Sequence, residues 1–526
     1  MRVPTLAAAG MLACVCGAQT SPWFATDPTI VQNPNPAAPL AAVLRFAASE
    51  PVDTVIAISD GVHKSELRYD SSFNPERGLP VIGLRPGREH GIRVTIRDKA
   101  GRQTMAKPLE FKAAALPAVF PPIKITVPAA GEIEPGFTFI SLRKENNQYG
   151  VLAAVDKEGT PVWYYERTPP PSDFQRLKNG NILVMHVDQR IREIDMLGNV
   201  IGEWQAGKRG AGGPAAGTQV DALSLHHEMD ELPSGNLAAL STARREVADY
   251  YTSDKDASAP RKTQFLMADR LIEFGRDGKI VWEWNSFDHL DPMRIGYGSL
   301  GQFWSRRGFP NTVDWTHGNG FHYDAKSDAY LISLRHQSAI FKVSRKTGEI
   351  AWILGDPAGY SERLRKLVLK PAPGTPYPYY GHSPVLTAQG TLLFFDNAVY
   401  GTMPFTKTVP PGKVRSRAVE YAIDEKAGTF RQVWASDAGA PMLAMDMGGA
   451  YMLPEMDHVL VCYGSATPRP SADDTWDTLT DKTRFTAVRE YTHATPTKIV
   501  WELLVRSDDP SAGGWAAYRA ERWPLR

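Results

Sequence analysis

A glycine turn followed by a strand that carries tryptophan recurs six times after about residue 123, and this repeat constrains the fold more than any other feature. An alternating strand precedes the turn, as in RLIEFGRDG, so each unit is predicted to be a hairpin whose second strand buries the tryptophan. The six copies end at Trp163, Trp204, Trp282, Trp352, Trp434 and, in degraded form, Trp501.

Further strands precede these hairpins, for example NILVMHV, AYLISLR and HVLVCYG. Two such strands per hairpin give a four-stranded sheet, and six sheets fill the rest of the chain. A sheet that repeats in this way closes radially around a central channel. We therefore predict an all-β chain in which residues 123–526 form a six-bladed β-propeller.

The segment ahead of the repeats has a different organisation. Residues 20–115 contain short strands such as DTVIAISDG separated by turns, which predicts a small β-sandwich as an accessory domain. Residues 1–18 have the pattern of a signal peptide, so we expect an exported, periplasmic protein, with lipidation at Cys14 as the alternative. No other stretch approaches twenty apolar residues, so no membrane span is expected.

Charge and cysteine content limit the partners and the covalent chemistry. The chain has 59 Lys and Arg against 58 Asp and Glu, so no global field would hold nucleic acid or an anionic membrane. Two of the three cysteines lie in the predicted signal peptide, which leaves Cys462 without a disulfide partner. Its neighbours, HVLVCYGS, predict a packed free thiol on a buried strand.

Histidines occupy equivalent places in the repeat, and the first strand of each blade lines the axis, so they should converge at one mouth of the channel. Strand alternation weakly groups His226, rather than His227, with the other two positions. For any single histidine a structural role is the default, and metal binding with Glu228 and Asp230 is an alternative. The histidines concerned are His226, His227, His317 and His382.

Four segments of the repeat region resemble one family, the bacterial arylsulfate sulfotransferases that do not use PAPS. The two longer motifs are specific because residue type and spacing match together, and the domain ahead of the repeats fits the same family. The segments are DWTHGNGFHYD at 314–324, SLRHQSAIFKV at 333–343, WILGDP at 352–357, and GHSPVL followed by LLFFDN within 381–397.

The resemblance implies a transferase that takes aryl sulfates as donors and phenols as acceptors, without a cofactor or metal, and it suggests a homodimer. It implies that His382 is transiently sulfated, that His317 and Asn319 are polar site residues, and that Arg335 holds the sulfate. One histidine of the 226/227 pair matches a further site residue. Another family site residue falls where this sequence has Met447, Gly448 and Gly449, so that contact departs from the pattern.

The residue types agree with sulfuryl transfer. A neutral imidazole can attack sulfur in line if fixed donors hold the sulfate oxygens, and Arg335, Asn319 and His317 are such donors. A second histidine, either His317 or one of the 226/227 pair, can shuttle the phenolic proton. Loop aromatics that could line an aryl pocket are Phe303, Trp304, Tyr377 and Tyr379.

Other classes fit the sequence less well. It has no C-x-[PS]-x-R sulfatase motif and no G-x-x-x-x-G-K-[ST] loop for a nucleotide donor. One alternative is a quinone-dependent propeller dehydrogenase, because RKTGEIAW resembles the repeat of those enzymes, although they need more repeats and an acidic calcium site. The other is a binding module without catalysis, because a propeller fold does not determine function.

Overall fold

Nearly all the regular structure of this chain is β-strand. The computed structural model describes residues 22–129, 131–208, 217–471 and 473–525, so the predicted signal peptide at 1–18, with Cys14, lies outside the described residues. Tertiary contacts divide the chain into two compact units. The first holds the described residues up to Val31, then Val43–Val81 and Glu89–Lys112, and the second holds Gln32–Ala42, Ile82–Arg88 and the described residues from Ala113 onward.

The first unit contains two sheets, one ordered β1-β2-β5 and one ordered β4-β3-β6-β7 with β8 also paired to β6. Alternate residues of β3 and β6 are buried, which is the pattern of sheets with one covered face. The strands are β1 (Phe24–Gln32), β2 (Ala42–Ala48), β3 (Asp53–Ser59), β4 (Lys64–Tyr69), β5 (Leu79–Val81), β6 (Glu89–Arg97), β7 (Gln103–Met105) and β8 (Leu109–Lys112).

The first fourteen strands of the second unit run from β9 to β22. These strands are β9 (Ile123–Val127), β10 (Phe137–Lys144), β11 (Gly150–Val155), β12 (Pro161–Glu166), β13 (Pro171–Arg176), β14 (Ile182–His186), β15 (Arg190–Ile194), β16 (Val200–Ala206), β17 (Thr218–Val220), β18 (His226–Glu231), β19 (Leu237–Tyr250), β20 (Lys262–Phe274), β21 (Ile280–Asn285) and β22 (Thr312–Asp314).

The remaining strands continue the same pattern to the end of the described chain. They are β23 (Gly318–Asp324), β24 (Ala329–Leu334), β25 (Ala339–Ser344), β26 (Ile350–Gly355), β27 (Lys370–Pro371), β28 (His382–Leu386), β29 (Leu392–Asp396), β30 (Arg417–Asp424), β31 (Thr429–Ala435), β32 (Leu443–Ala444), β33 (Gly449–Leu453), β34 (His458–Thr467), β35 (Phe485–Thr492), β36 (Ile499–Val505) and β37 (Trp515–Trp523).

Helices are short. Two α-helical turns, α1 (Ser286–His289) and α2 (Glu362–Arg365), lie in connections between strands, and the rest of the helical structure is 3-10 turns. These turns are Pro75–Arg77, Ser305–Arg307, Arg335–Gln337, Pro411–Lys413, Thr478–Asp481 and Pro510–Ala512.

Strands β9 to β37 form successive sheets, which we number 1 to 6. Each has an antiparallel core of four strands. The core strands are β12-β11-β10-β37, β13 to β16, β18 to β21, β23 to β26, β28 to β31, and β33 to β36. Sheets 2, 3 and 5 gain β17, β22 and β27, and sheet 6 gains β32 and β9. One end strand of each sheet contacts the corresponding strand of the next sheet, and we call these the innermost strands. They contact one another in the order β37, β13, β18, β23, β28, β33 and β37 again.

The predicted tryptophan hairpins are confirmed at all six positions, and each pairs antiparallel with one register shift. Five of the six indoles donate their Nε1 hydrogen to the hairpin turn of the next sheet. The acceptors are Met196 O for Trp163, Arg276 O for Trp204, Arg345 O for Trp282, Glu425 Oε1 for Trp352, and Lys157 O for Trp501. The last of these bonds runs from sheet 6 to sheet 1.

Three innermost strands carry a bulge at the same end. The register shifts between His226 and Met229, between Gly318 and Gly320, and between His382 and Val385. Left-handed backbone occurs at these points, with φ of 57° at His227, 50° at His317 and 51° at Ser383. Bulges redirect side chains at functional sites, so this end of the sheets is where a site is expected.

Cys462 lies on β34, fully buried and free, as predicted. Its pKa is raised by burial, which suits an inert packed thiol. Of the helices in the described ranges, none is long and apolar enough to cross a membrane.

Candidate active site

His382 is the first residue of β28 and is 2% exposed. Its Nδ1 lies 2.7 Å from Asn397 Oδ1 and 3.2 Å from Tyr380 O, and both of these oxygens accept hydrogen bonds. Nδ1 therefore carries the ring hydrogen, and Nε2 keeps its lone pair. Nε2 accepts a hydrogen bond from the Met447 amide at 3.2 Å. The nitrogen that would attack an electrophile is thus defined.

The His382 ring is neutral at pH 7. Burial, and after it the positive charge of Arg335, lower the pKa of His382 to about 3. A neutral imidazole with a free lone pair is the nucleophilic form of histidine. Burial and charge therefore keep Nε2 of this residue unprotonated at pH 7.

The segment before His382 is held from sheet 4. Gly381 O accepts hydrogen bonds from Asn319 Nδ2 at 2.9 Å and from Ser333 Oγ at 3.1 Å. Asn319 is fully buried, and its Oδ1 has no hydrogen-bond partner among the described residues. The sequence predicted Asn319 as a donor to sulfate. In the structure one of its two N–H groups is committed to Gly381, so its first effect is to position the strand that begins with His382.

Arg335 begins the 3-10 turn that follows β24. Its Nη1 donates to His336 Nε2 at 2.9 Å, its Nη2 donates to Met445 O at 3.1 Å, and its guanidinium lies 5.1 Å from the Tyr380 ring centre. Its Nε is buried and has no partner within the described part of the chain. The guanidinium is therefore fixed in place, and one buried donor remains for an anion.

His317 forms a dyad with a carboxylate that the sequence argument did not single out. Its Nδ1 donates to Asp314 Oδ2 at 2.5 Å, and Asp314 Oδ1 accepts from Trp304 Nε1 at 2.9 Å. Burial, followed by Arg335 and Arg307, holds the pKa of His317 well below its usual value. The Nε2 of His317 is thus unprotonated at pH 7, and Asp314 can stabilise the imidazolium that would form on accepting a proton.

The adjacent histidines 226 and 227 have different roles in the structure. His226 Nε2 donates to Ser241 O at 3.1 Å, so His226 Nδ1 carries no hydrogen and is an acceptor. His227 Nδ1 donates to His226 Nδ1 at 2.8 Å. The His227 ring lies 4.9 Å from the His317 ring, and its Nε2 makes no hydrogen bond to the described part of the chain. Strand alternation pointed to His226, but the bulge at this position breaks the alternation and turns His227 toward His317.

Two of the four predicted aromatic residues lie at these histidines. The Phe303 ring is stacked on His227 at 5.9 Å and meets His317 edge-on at 4.9 Å, while Trp304 lies 5.2 Å from His226. The other two lie elsewhere, since Tyr377 packs against Phe430 and Tyr379 donates to Asp356 Oδ2.

The segment around Met447, which departs from the family pattern, contacts His382 through its backbone and affects the pKa of His382 through a carboxylate. Met447 has a φ of 59°, and its amide is the group that contacts His382 Nε2. The Asp446 carboxylate raises the pKa of His382 after stronger influences, and its Oδ1 is buried without a partner in the described ranges. From β10, Arg143 Nη2 approaches the Met447 Sδ at 3.7 Å.

One group of side chains has the composition of a metal site. Ligand atoms of Asp314, His317 and His336 lie within 4.8 Å of one another. However, Asp314 Oδ2 and His317 Nδ1 are hydrogen-bonded to each other, His336 Nδ1 donates to Asp314 O, and His336 Nε2 accepts from Arg335. A bound cation would have to break these bonds beside a guanidinium, so the group does not fit a metal.

Further along the innermost strands lies a buried charge cluster rather than the metal shell proposed for Glu228 and Asp230. Arg519, 1% exposed, contacts Asp173 at 2.6 Å, Glu228 at 2.5 Å and Glu521 at 3.3 Å. Burial raises the pKa of Asp173 well above its usual value and that of Asp230 to about 7. One arginine thus joins strands of sheets 1, 2 and 3.

Two protein-family models match the chain. One, described as Arylsulfotransferase (ASST), matches residues 123–513, and the other, described as Arylsulfotransferase Ig-like domain, matches residues 29–112. The first covers most of the sequence and includes every candidate site residue described above.

Curated relatives named arylsulfate sulfotransferase AssT match a shorter region. The protein from Escherichia coli O6:H1 is 28% identical over 252 residues, which cover 40% of this chain and 39% of that protein. The protein from Lelliottia amnigena is 30% identical over 207 residues, which cover 32% of this chain and 34% of that protein. The match therefore spans about two fifths or less of the length of these relatives.

Solved structures resemble the chain only remotely. A protein of unknown function from Bacteroides caccae is 12% identical, with 73% of this chain and 98% of that chain covered at a TM-score of 0.37. BamB from Moraxella catarrhalis is 9% identical, with 79% and 93% covered at a TM-score of 0.26. Similarity at this level does not establish a shared fold.

Proposed function

We propose that this chain, which belongs to the arylsulfotransferase family, moves a sulfuryl group from an aryl sulfate ester to a phenol through a sulfated His382. The family supports sulfotransferase activity on aryl sulfates, and the covalent intermediate, the two-step order and the site residues are proposed with it. The observation that carries it is the His382 ring, which is buried and neutral and directs an unprotonated Nε2 at the Met447 amide.

In the first half-reaction the Nε2 lone pair of His382 forms an N–S bond while the bond from sulfur to the aryl oxygen breaks. That electron pair leaves on the phenolate, which takes its proton from solvent water after release. The His382 ring keeps its Nδ1 hydrogen and becomes formally cationic, which balances the sulfonate charge. Arg335 Nε is a donor for the sulfuryl oxygens as negative charge builds on them.

In the second half-reaction an acceptor phenol gives its proton to a base and its oxygen attacks sulfur, and the N–S electron pair returns to Nε2. We assign the base to His317, because its Nε2 is unprotonated and its Nδ1 is hydrogen-bonded to Asp314. His227 lies next to His317 and has an imidazole, rather than a carboxylate, at its Nδ1. A carboxylate stabilises the imidazolium better than a neutral ring does.

The architecture that holds this site is proposed to be a six-bladed propeller over residues 123–526, with one blade per sheet. The cyclic order of contacts between innermost strands supports it. The bond from Trp501 in sheet 6 to Lys157 in sheet 1 also supports it, as does the pairing of the last strand, β37, with β10 of sheet 1. These contacts connect the last repeat to the first, as a closed ring requires.

The remaining assignments concern the ends and the assembly of the chain. We propose that residues 20–115 form the accessory domain, that residues 1–18 are a signal peptide for periplasmic export, and that the protein forms a homodimer. Sequencing the N-terminus of the secreted protein and measuring its mass in solution test these points. Substrate profiling with sets of aryl sulfates and phenols would identify the donor and the acceptor used in the cell.

Turnover of a chromogenic aryl sulfate, 4-nitrophenyl sulfate, with and without phenol tests the proposed function. We expect release of 4-nitrophenol to depend on phenol, with phenyl sulfate formed in equal amount. Release of inorganic sulfate without an acceptor would indicate a hydrolase. Binding without turnover would favour the alternative of a non-catalytic binding module.

A further inference from the structure

Asn397 directly follows β29, and each polar atom of its amide is hydrogen-bonded. The residue is fully buried. Its Nδ2 donates to Ala444 O and to Met447 O, each at 3.0 Å, and its Oδ1 accepts from His382 Nδ1 at 2.7 Å. Asn397 is the last residue of the motif LLFFDN, and nothing in the sequence alone assigns a function to it.

These contacts leave the amide one orientation. Two backbone carbonyls can only accept, so the nitrogen must face them and the oxygen must face the imidazole. The His382 hydrogen is therefore on Nδ1, and Nε2 is the nitrogen that holds the lone pair. The same side chain holds the Met447 carbonyl, and the Met447 amide is the group that contacts Nε2.

We propose that Asn397 is a positioning residue that decides which nitrogen of His382 carries the sulfuryl group. This inference rests on the proposed function, because it concerns the same covalent step. Asn397 does not touch the substrate. It acts by fixing the ring tautomer, as the nearer of two acceptors, the other being Tyr380 O, and by holding the Met447 amide where it can change partner during the reaction.

The change of partner follows from the electron count at Nε2. When the lone pair forms the N–S bond, Nε2 can no longer accept the Met447 hydrogen. That N–H then has a sulfuryl oxygen within reach and can donate to it, while Nδ1 continues to donate to Asn397. The backbone of residue 447 would thus take the place of the side-chain contact that the family pattern has in this segment.

An amide suits this position better than a carboxylate. At His317 the Nδ1 partner is Asp314, which stabilises a protonated ring and suits a base. At His382 a carboxylate would likewise raise the pKa of the ring, and so leave less of the neutral form that attacks than an amide does. The different Nδ1 partners, asparagine and aspartate, thus match the different roles proposed for the two histidines.

The test compares wild type with Asn397→Ala and Asn397→Asp. Each protein is reacted with 4-nitrophenyl sulfate without acceptor, and the adduct is assigned to Nε2 or Nδ1 of His382 by NMR of ¹⁵N-histidine-labelled protein. We expect wild type to carry the adduct on Nε2. Asn397→Ala should form it about 10- to 100-fold more slowly and in part on Nδ1. Asn397→Asp should move the acidic limb of the rate profile to higher pH.

Asn33→Ala is the matched control. Asn33 is also buried, and its Nδ2 donates to the carbonyls of Asn35, Ala38 and Leu197, but it contacts no site residue described above. We expect this variant to lose stability while adduct position and pH profile stay as in wild type.

The same labelled wild-type protein provides a readout that needs no variant, because ¹⁵N shifts report the resting tautomer of His382. A hydrogen on Nε2 would overturn the inference, and so would an Nε2 adduct formed by both Asn397 variants at the wild-type rate and pH profile. A wild-type protein that turns over without any His382 adduct would instead overturn the proposed function.

Discussion

At the scale of single residues, histidines that look alike in the sequence have different hydrogen-bond partners in the candidate site. His382 and His317 both hold their hydrogen on Nδ1, yet one is bonded to an amide and the other to a carboxylate. Burial lowers the pKa of both rings, so both are neutral at pH 7. In the proposed mechanism the partner of Nδ1, rather than the ring itself, separates the nucleophile from the base.

Substitution of Arg335 tests the contact to sulfate. Arg335→Lys keeps the positive charge but loses the planar guanidinium. In wild type that group donates from Nη1 to His336 and from Nη2 to Met445 O, and its Nε remains available to an anion. We expect kcat/KM for 4-nitrophenyl sulfate to fall about 10²- to 10³-fold, the usual cost of losing one oxyanion donor. Arg431→Lys, at an exposed position of β31, is the control and should be unchanged. Equal rates for both variants would rule out a sulfate-holding role for Arg335.

The pH dependence of adduct formation follows from the pKa of His382. Because that pKa is lowered to about 3, the ring stays neutral as the pH falls from 7 toward 4, and protonation removes the nucleophile only below that range. We expect the rate of the first half-reaction, measured by stopped flow, to stay level between pH 4 and 7 as far as His382 controls it. An acidic limb with a midpoint near 6.5, the ordinary histidine value, would contradict this assignment if it persisted in variants of the other site histidines.

The residue-level prediction from sequence was incomplete for a physical reason. Histidines and Arg335 stand out because their chemistry is rare and their spacing repeats. Asparagine and aspartate are common residue types, and only the fold places Asn397 beside His382 and Asp314 beside His317. The Met447 amide has no side-chain signal at all, since its position depends on a left-handed φ.

At the scale of elements, the hairpin and the bulge explain what the sequence could and could not predict. Period-two alternation and glycine turns predicted the six tryptophan hairpins at their observed places. The same alternation does not decide between His226 and His227, because β18 has two extra residues between His226 and Met229 and the backbone at His227 is left-handed. Alternation is thus reliable along regular strands and fails at the bulges where the candidate site is built.

The tryptophan hairpins allow a controlled test of the bonds between sheets. Trp163 Nε1 donates to Met196 O at 2.8 Å, whereas Trp434 Nε1 has no partner among the described residues, and both side chains are buried. We expect Trp163→Phe to lower the free energy of unfolding by about 1 kcal/mol more than Trp434→Phe, the net contribution of one hydrogen bond. Urea unfolding measures both. Equal losses would mean that the indole bond adds nothing to the packing of the ring.

At the scale of the whole molecule, the last strand connects parts of the chain that are far apart in sequence. β37 pairs with β10, and its Arg519 contacts Asp173 on β13 and Glu228 on β18. The sequence predicted six repeats but not this cluster, because nothing in a run such as AAYRAERW indicates which carboxylates will face its arginine. Contacts between the last strand and the first sheets are long-range in sequence and must be read from the structure.

Replacement of Arg519 tests this connection. Arg519→Leu leaves Asp173 and Glu228 buried without their cation, so we expect a loss of about 3–5 kcal/mol in the free energy of unfolding. Adding Asp173→Asn and Glu228→Gln removes the unpaired charges and should restore most of that loss. Urea midpoints of the single and triple variants measure the effect. A triple variant no more stable than Arg519→Leu would show that packing, rather than charge, is what the arginine supplies.

The most direct test of the account is to find where sulfur is bound between the two half-reactions. The protein is incubated with 4-nitrophenyl sulfate without acceptor, digested under conditions that spare an acid-labile N–S bond, and mapped by mass spectrometry. We predict one sulfuryl group on the peptide that bears His382, lost when phenol is added before digestion and absent from His382→Ala. An adduct on another side chain, or turnover that survives in His382→Ala, would contradict the mechanism.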